Sequence, residues 1–381
     1  MYRKIGLLSF LLIGATFAQA QQTHIVDLAG TGDFTTIHAA VEAASAGDTI
    51  RVQPDQYAFT ADLGPVEVDK QLVIIGSGYM PVEDGGTELV DIPNIGYFDL
   101  TGSADGTVIK GFRVQGASDF VTTETGTANI TVEENLFIGG TIVIDLFGSA
   151  DTVRSNIFYD TQTRAILTRG ANTQIMNNLF AETDMIGHNT GVVEIITSGV
   201  GVVVAYNLFI GGTYSIYVNG GRIRSGAGAP EIYSNGFAGG TDANVIFITA
   251  STPNVTNNAF YNVTLAESDN NRNPVTVAPN FENFDVDNST LDLDAIDEDN
   301  YDLRLASGSG WIDAGRTGTP YLDLDGSRSD IGLYSGPDSF SDGRGAPSVP
   351  VVIQFQVSPT TVSPSGTITI TATGRIGDGG N

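Results

Sequence analysis

Short apolar runs rich in β-branched residues recur along this chain, each a few residues long and bounded by polar or glycine-containing turns; Ile130–Val132, Ile142–Ile144, Val202–Val204 and Ile246–Ile248 are examples. Runs of this kind read as short strands. Between them the triplet Asn-x-Phe recurs six times, at Asn135–Phe137, Asn156–Phe158, Asn178–Phe180, Asn207–Phe209, Asn235–Phe237 and Asn258–Phe260. Lys110-Gly111-Phe112 reads as an earlier copy, one repeat before Phe137, with lysine in place of the asparagine. Glycine pairs follow three triplets (Gly139-Gly140, Gly211-Gly212, Gly239-Gly240) and mark turns that need positive φ or close backbone approach.

The triplets thus return at the interval of a short solenoid repeat, roughly 20–30 residues, and no helical signal lies inside that interval. Such a period corresponds to one β-coil per repeat. Coils stacked at about 4.8 Å place each phenylalanine on its neighbours as an interior aromatic ladder. The asparagines stack likewise at a bend, their amides bonding from coil to coil. The leucine-dominated consensus of leucine-rich repeats is absent. The predicted class is therefore all-β, a solenoid of parallel coils.

The open end of a solenoid needs cover. Residues 30–44 supply a helix for it, with Asp33 as the expected N-cap and Ile37, Ala40, Val41 and Ala44 on one face. Gly47-Asp48 stops that helix, and Thr49–Gln53 starts the first strand. The run Gly32-Asp33-Phe34 to Ala44, then Gly47-Asp48-Thr49-Ile50 and Pro54 to Tyr57, resembles the N-terminal cap of pectin-lyase-like right-handed parallel β-helix proteins. With the repeats, the resemblance covers roughly residues 23 to 338. Trp311-Ile312-Asp313-Ala314-Gly315, Asp323-Leu324-Asp325-Gly326, Arg328 and Ile331-Gly332-Leu333-Tyr334 resemble the closing segment of secreted bacterial β-helix proteins. That resemblance implies an anchoring or sorting region beyond the solenoid.

The expected organisation is a signal peptide over 1–20, the β-helix over 21–335, a proline- and glycine-containing linker over 336–350, and the truncated start of an immunoglobulin-like or sorting domain over 351–381. Arg3 and Lys4, the apolar run Ile5–Phe17 and Ala18-Gln19-Ala20 follow the order of a secretory leader, too short to span a bilayer. Export to the cell surface or medium, without membrane insertion, follows. There is no cysteine, so no disulfide and no thiolate metal site. The formal net charge is −27, and the leader would remove two of only 17 basic residues. Such a field repels nucleic acid and anionic membranes and favours a soluble monomer.

Several groups are candidates for chemistry. Gly187-His188-Asn189 and, downstream of it, Arg222-Ile223-Arg224 are similar to a motif pair of polygalacturonases; His188, Arg222 and Arg224 are thus the candidate catalytic residues. The paired aspartates that this resemblance requires before the histidine are missing. Glycoside cleavage needs two carboxyl groups. Arg164 and Arg169 form a second basic pair, read as surface turn positions; Lys110 and Arg113 flank Phe112. Asp292, Asp294, Asp297 and Asp299, and separately Asp323, Asp325 and Asp330, are oxygen-rich runs of the kind calcium favours. Tyr214 and Tyr217 are candidate carbohydrate-binding aromatics. The expected role is a secreted carbohydrate-binding β-helix without strong catalysis. The alternatives are a polysaccharide lyase or hydrolase and a structural spacer carrying an adhesive domain.

Overall fold

A computed structural model describes residues 20–53, 65–76, 78, 91–93, 98–115, 119–183, 191–196, 200–211, 221–225, 229–240, 245–248, 254–263, 273–287, 291, 302–340, 351–358 and 369–375. Among the described residues three parallel sheets dominate, one of ten strands and two of eight. From Val73–Ile75 to Ala259–Tyr261 successive strands go to the first, second and third sheet in turn, so each coil there contributes one strand to each: Thr131–Glu133, Leu136–Ile138 and Ile142–Leu146 make one coil, and Thr152–Arg154, Ile157–Tyr159 and Arg164–Thr168 the next. This is a parallel β-helix.

The corner between the first and second sheets explains the triplet. The residue before each ladder asparagine adopts positive φ: Glu134, Ser155, Asn177, Tyr206, Ser234 and Asn257 lie between 52° and 58°. That left-handed step turns the chain within two residues and aims the asparagine inward. Each asparagine Nδ2 then donates to the Oδ1 of the next, at 3.0, 3.0, 3.0, 2.9 and 3.0 Å from Asn135 through to Asn258. Two residues on, Phe137, Phe158, Phe180, Phe209, Phe237 and Phe260 stack with centroids 4.5–5.2 Å apart. Both expected ladders are present.

The earlier copy is shifted by two positions. Arg113 pairs with Leu136 and Val114 with Phe137, so Phe112 stands at the asparagine position and Val114 in the phenylalanine ladder. Gly111, at φ 76°, makes the left-handed step there, and Phe112 N donates to Asn135 Oδ1. Matching triplets without register puts Lys110 at the corner; it lies on the first sheet opposite Glu133.

Near the N-terminus the helix spans Ile37–Ala43 and buries Ile37, Ala40 and Val41. Thr36, not Asp33, caps it, accepting from Ala39 N; Asp33 instead accepts from Ile25 N. A strand that the sequence does not suggest, Thr23–Val26, precedes the helix and pairs with Thr49–Val52, so Thr49–Gln53 is not the first strand. No helix among the described residues is long and apolar enough to cross a membrane. Val351–Ser358 and Thr369–Arg375 pair as a separate antiparallel ribbon.

Candidate functional site

Each sheet has an outer face, and the three are used differently. On the second, Leu136, Ile157, Leu179, Leu208, Ile210 and Ala238 point outward yet are buried, because the segment after the last coil folds back over them. Phe281, Leu303, Trp311, Ile331, Leu333 and Phe340 form the underside of that cover. Trp311 is fully buried, donates from Nε1 to Val277 O, and lies so close to Gly236 that a Cβ there would overlap the indole. The packed region reaches Phe340, beyond the expected boundary at 335.

On the first sheet the outward groups satisfy one another or the cover. Lys110 lies between Glu133 and Glu134, and Arg154 pairs with Glu133 and Asp338. Arg316 pairs with Glu231 and stacks on the rings of Tyr233 and Tyr321, 4.5 and 4.4 Å from their centroids.

The outer face of the third sheet carries a row of ionisable side chains. In register across the strands stand Glu67, Asp99, Thr122, Asp145, Leu167, Glu194 and Arg224. Glu194 is almost wholly buried, and it accepts from Arg164 Nε and Arg224 Nη1. On the other side of Leu167, Asp145 accepts from Arg169 Nη1. Each of the three arginine side chains remains about a quarter exposed (24, 26 and 25% for Arg164, Arg169 and Arg224). The carboxylates form the floor, and the arginine side chains lie over them, partly exposed. Arg169 also lies 4.0 Å above the ring of Phe147. Phe147, Arg169 and Ile196 follow the paired residues Leu146, Thr168 and Ile195, so they form a neighbouring row in which Phe147 and Ile196 are exposed.

The electrostatics change along the row. Burial pushes the Asp99 carboxyl up, helped by Glu124 and Glu67. Asp145 is also raised by burial, and the Arg169 charge opposes this. Asp119, close enough to add to the rise at Asp145, is itself raised by burial. The row is thus acidic at its N-terminal end and carries its guanidinium groups towards the C-terminal end.

Of the sequence candidates, Arg224 belongs to this face. Arg222 lies on the same strand, Gly221–Ser225, with its side chain outside the described residues. His188, Tyr214, Tyr217, Asp292, Asp294, Asp297 and Asp299 lie outside the described residues. Arg164 is not a turn position, since it opens the strand Arg164–Thr168; Arg169 lies just past the end of that strand. Asp323, Asp325 and Asp330 come to one turn beside a cavity of about 310 Å³. There they organise backbone: Asp323 accepts from Asp330 N and Gly336 N, Asp325 from Ser327 N, and Asp330 from Asp313 N. Among the described residues no three acidic or histidine side chains gather as a metal-binding group. Glu194, Asp145, Asp119 and Phe147 are absent from the sequence candidates. A signal for the two floor carboxylates exists, since Ile142-Val-Ile-Asp145-Leu and Gly191-Val-Val-Glu194-Ile each place one carboxylate at the fourth position of an apolar run.

Three stacked parallel sheets with one strand per coil define the class, a parallel β-helix. No family model matches the chain, and no curated protein matches it. Among solved structures the chain is similar to the crystal structure of pectate lyase Pel9A, at 12% sequence identity and a TM-score of 0.42, with 83% of this chain and 96% of that chain covered.

Proposed function

We propose that this is an exported, monomeric β-helix protein that binds polysaccharide along the outer face of its third sheet. The observation that carries this reading is the pair of guanidinium heads seated on buried Glu194, in a row that runs across the coils. A buried carboxylate costs several kcal/mol and is weak evidence for stability. Leu167 occupies the same row and is buried, so an apolar residue packs there; Glu194 is not required for packing. Fixed acceptors and donors repeating along the coils suit an extended ligand that offers hydroxyls along its length. In this reading residues 1–20 direct export, helix Ile37–Ala43 closes the N-terminal end, and the ribbon after 350 begins an immunoglobulin-like domain.

Glycoside hydrolysis is a second reading, supported by the neighbouring carboxyls of Asp119 and Asp145, both raised by burial. One set of measurements separates the two. The full chain is tested against neutral and acidic polysaccharides for retention in affinity electrophoresis, for new reducing ends and for new unsaturated ends. Retention without turnover, lost in Arg164→Gln and Glu194→Gln variants that still fold, is the expected result. Turnover abolished by Asp145→Asn establishes the second reading, and no retention of any polymer overturns the first.

A further inference from the structure

Resting on that reading, we infer that the ligand is a largely uncharged glycan bearing isolated anionic substituents, one of which is received by Arg164 and Arg224 above Glu194. Three observations carry it. First, the chain as a whole is strongly acidic, with a formal net charge of −27, so a polymer charged at every sugar is repelled over its whole length. Second, the Arg164–Glu194–Arg224 group is a local exception. Two guanidiniums share one carboxylate, leaving one positive charge at a position where both arginine side chains are partly exposed.

Third, its donors are incompletely used. Each guanidinium has five N–H groups, and Glu194 takes Arg164 Nε and Arg224 Nη1. Arg224 Nε is buried and has no hydrogen-bond partner among the described residues. An oxyanion seated between the two heads would accept from the remaining forks in the planar geometry that guanidinium favours for carboxylate, sulfate or phosphate. The neutral part of the ligand meets a different surface: Phe147 and Ile196, the exposed apolar members of the neighbouring row, suit the C–H face of a sugar ring. The opposite end, with Glu67 and Asp99, repels a second anion. The spacing between charges on the ligand is therefore limited from below by the acidic half of the face.

The test uses one neutral glucan in three forms: unmodified, carboxymethylated sparsely, and carboxymethylated at nearly every sugar. Dissociation constants are measured for the full chain at low and high salt, with melting temperature as the folding control. The lightly substituted polymer is expected to bind about tenfold tighter than the neutral one, the effect of one charge-assisted hydrogen-bonded contact. Salt should weaken that advantage, whereas it should strengthen binding of the fully substituted polymer by screening repulsion. Arg224→Gln, in a variant that melts like the parent, should remove the advantage of the lightly substituted polymer over the neutral one, and Arg164→Lys, which keeps charge but not the fork, should reduce that advantage. Equal binding of the neutral and lightly substituted forms overturns this inference alone, as does an advantage that survives Arg224→Gln in a folded variant. Tightest binding of the fully substituted polymer at low salt overturns it too. Failure of all three polymers to bind overturns this inference and the binding reading together.

Discussion

Replacing Asn178 with alanine tests how the solenoid is held at its corner. The side chain is fully buried. Its Nδ2 donates to Asn207 Oδ1 at 3.0 Å, Val153 O at 2.9 Å and Met176 O at 3.0 Å, and its Oδ1 accepts from Asn156 N at 3.1 Å and Asn156 Nδ2 at 3.0 Å. Alanine removes all of these. Asn156 Nδ2 keeps carbonyl partners at Val132 and Arg154, but the Asn156 amide N–H loses its acceptor in a buried corner. A buried donor left unpaired costs about 1–3 kcal/mol, and losing a donor at Val153 O and Met176 O costs about 1 kcal/mol each. The expected destabilisation is about 3–5 kcal/mol, as large as for truncating the adjacent ladder phenylalanine, Phe180. Hydrogen bonding, not only ring burial, then sets the corner's stability.

The assay is urea unfolding followed by far-ultraviolet circular dichroism, with the slope of the transition recorded as well as its midpoint. Coils of a solenoid contact mainly their neighbours, so a broken rung can uncouple the two ends and lower the slope. Asn178→Asp should be worse than alanine. It keeps an acceptor for Asn156 N but loses the donors to Val153 O and Met176 O, and it sets a charge against Asn207 Oδ1 in a buried site. A loss below about 1 kcal/mol for alanine, or tolerance of aspartate, would refute the reasoning, because neither is compatible with a continuous buried amide ladder.

Two other perturbations have equally direct readouts. Asp151 is fully buried, and burial pushes its carboxyl up to about 7; its folded value lies above its unfolded value, so its contribution is complete below about pH 4 and is lost as pH rises through 7. Asp151→Asn should therefore flatten the fall in melting temperature between about pH 4 and 8, in part, since Asp323 is also raised to about 7; a profile parallel to the parent's would contradict this. Gly236→Ala drives a methyl into Trp311 Cζ3, so the cover should lift and the emission of this single tryptophan should shift to the red, while an unchanged spectrum would show that the cover accommodates the methyl.

Much of the architecture is legible in the sequence because its signals are one-dimensional. Asn-x-Phe recurs once per coil, and stacking turns a sequence period into two spatial ladders. The shifted copy at Phe112 shows the limit: register depends on which residue makes the left-handed step, and Gly111 marks it more reliably than the triplet does. The N-cap is ambiguous in sequence because Asp33 and Thr36 are both good capping residues; the pairing of Asp33 with Ile25 N decides between them, and that contact depends on the strand Thr23–Val26. The site is half legible. Arginines stand out in an acidic chain, so Arg164, Arg169 and Arg224 draw notice, but as turn or motif residues. Their partners Asp145 and Glu194 are hidden in apolar runs and become visible only when the strands are aligned.

That alignment also explains why the third sheet differs from the other two. On the first sheet Lys110, Arg154 and Arg316 meet carboxylates of that sheet's strands, of its corner or of the returning segment, and on the second sheet the outer face is apolar and covered. Both arrangements serve the closing of the solenoid: the cover is clamped by Trp311 against Gly236 and by Asn177 Nδ2, which donates to Leu333 O and Ser335 O. On the third sheet, Arg164, Arg169 and Arg224 meet carboxylates within the sheet itself, and the returning segment's apolar underside lies over the second sheet, not over them. In the row itself, Leu167 between Asp145 and Glu194 shows that apolar packing was available and was not used at the neighbouring rungs. Buried pairs of this kind add little stability, and the ligand role proposed for them is what the polysaccharide panel tests.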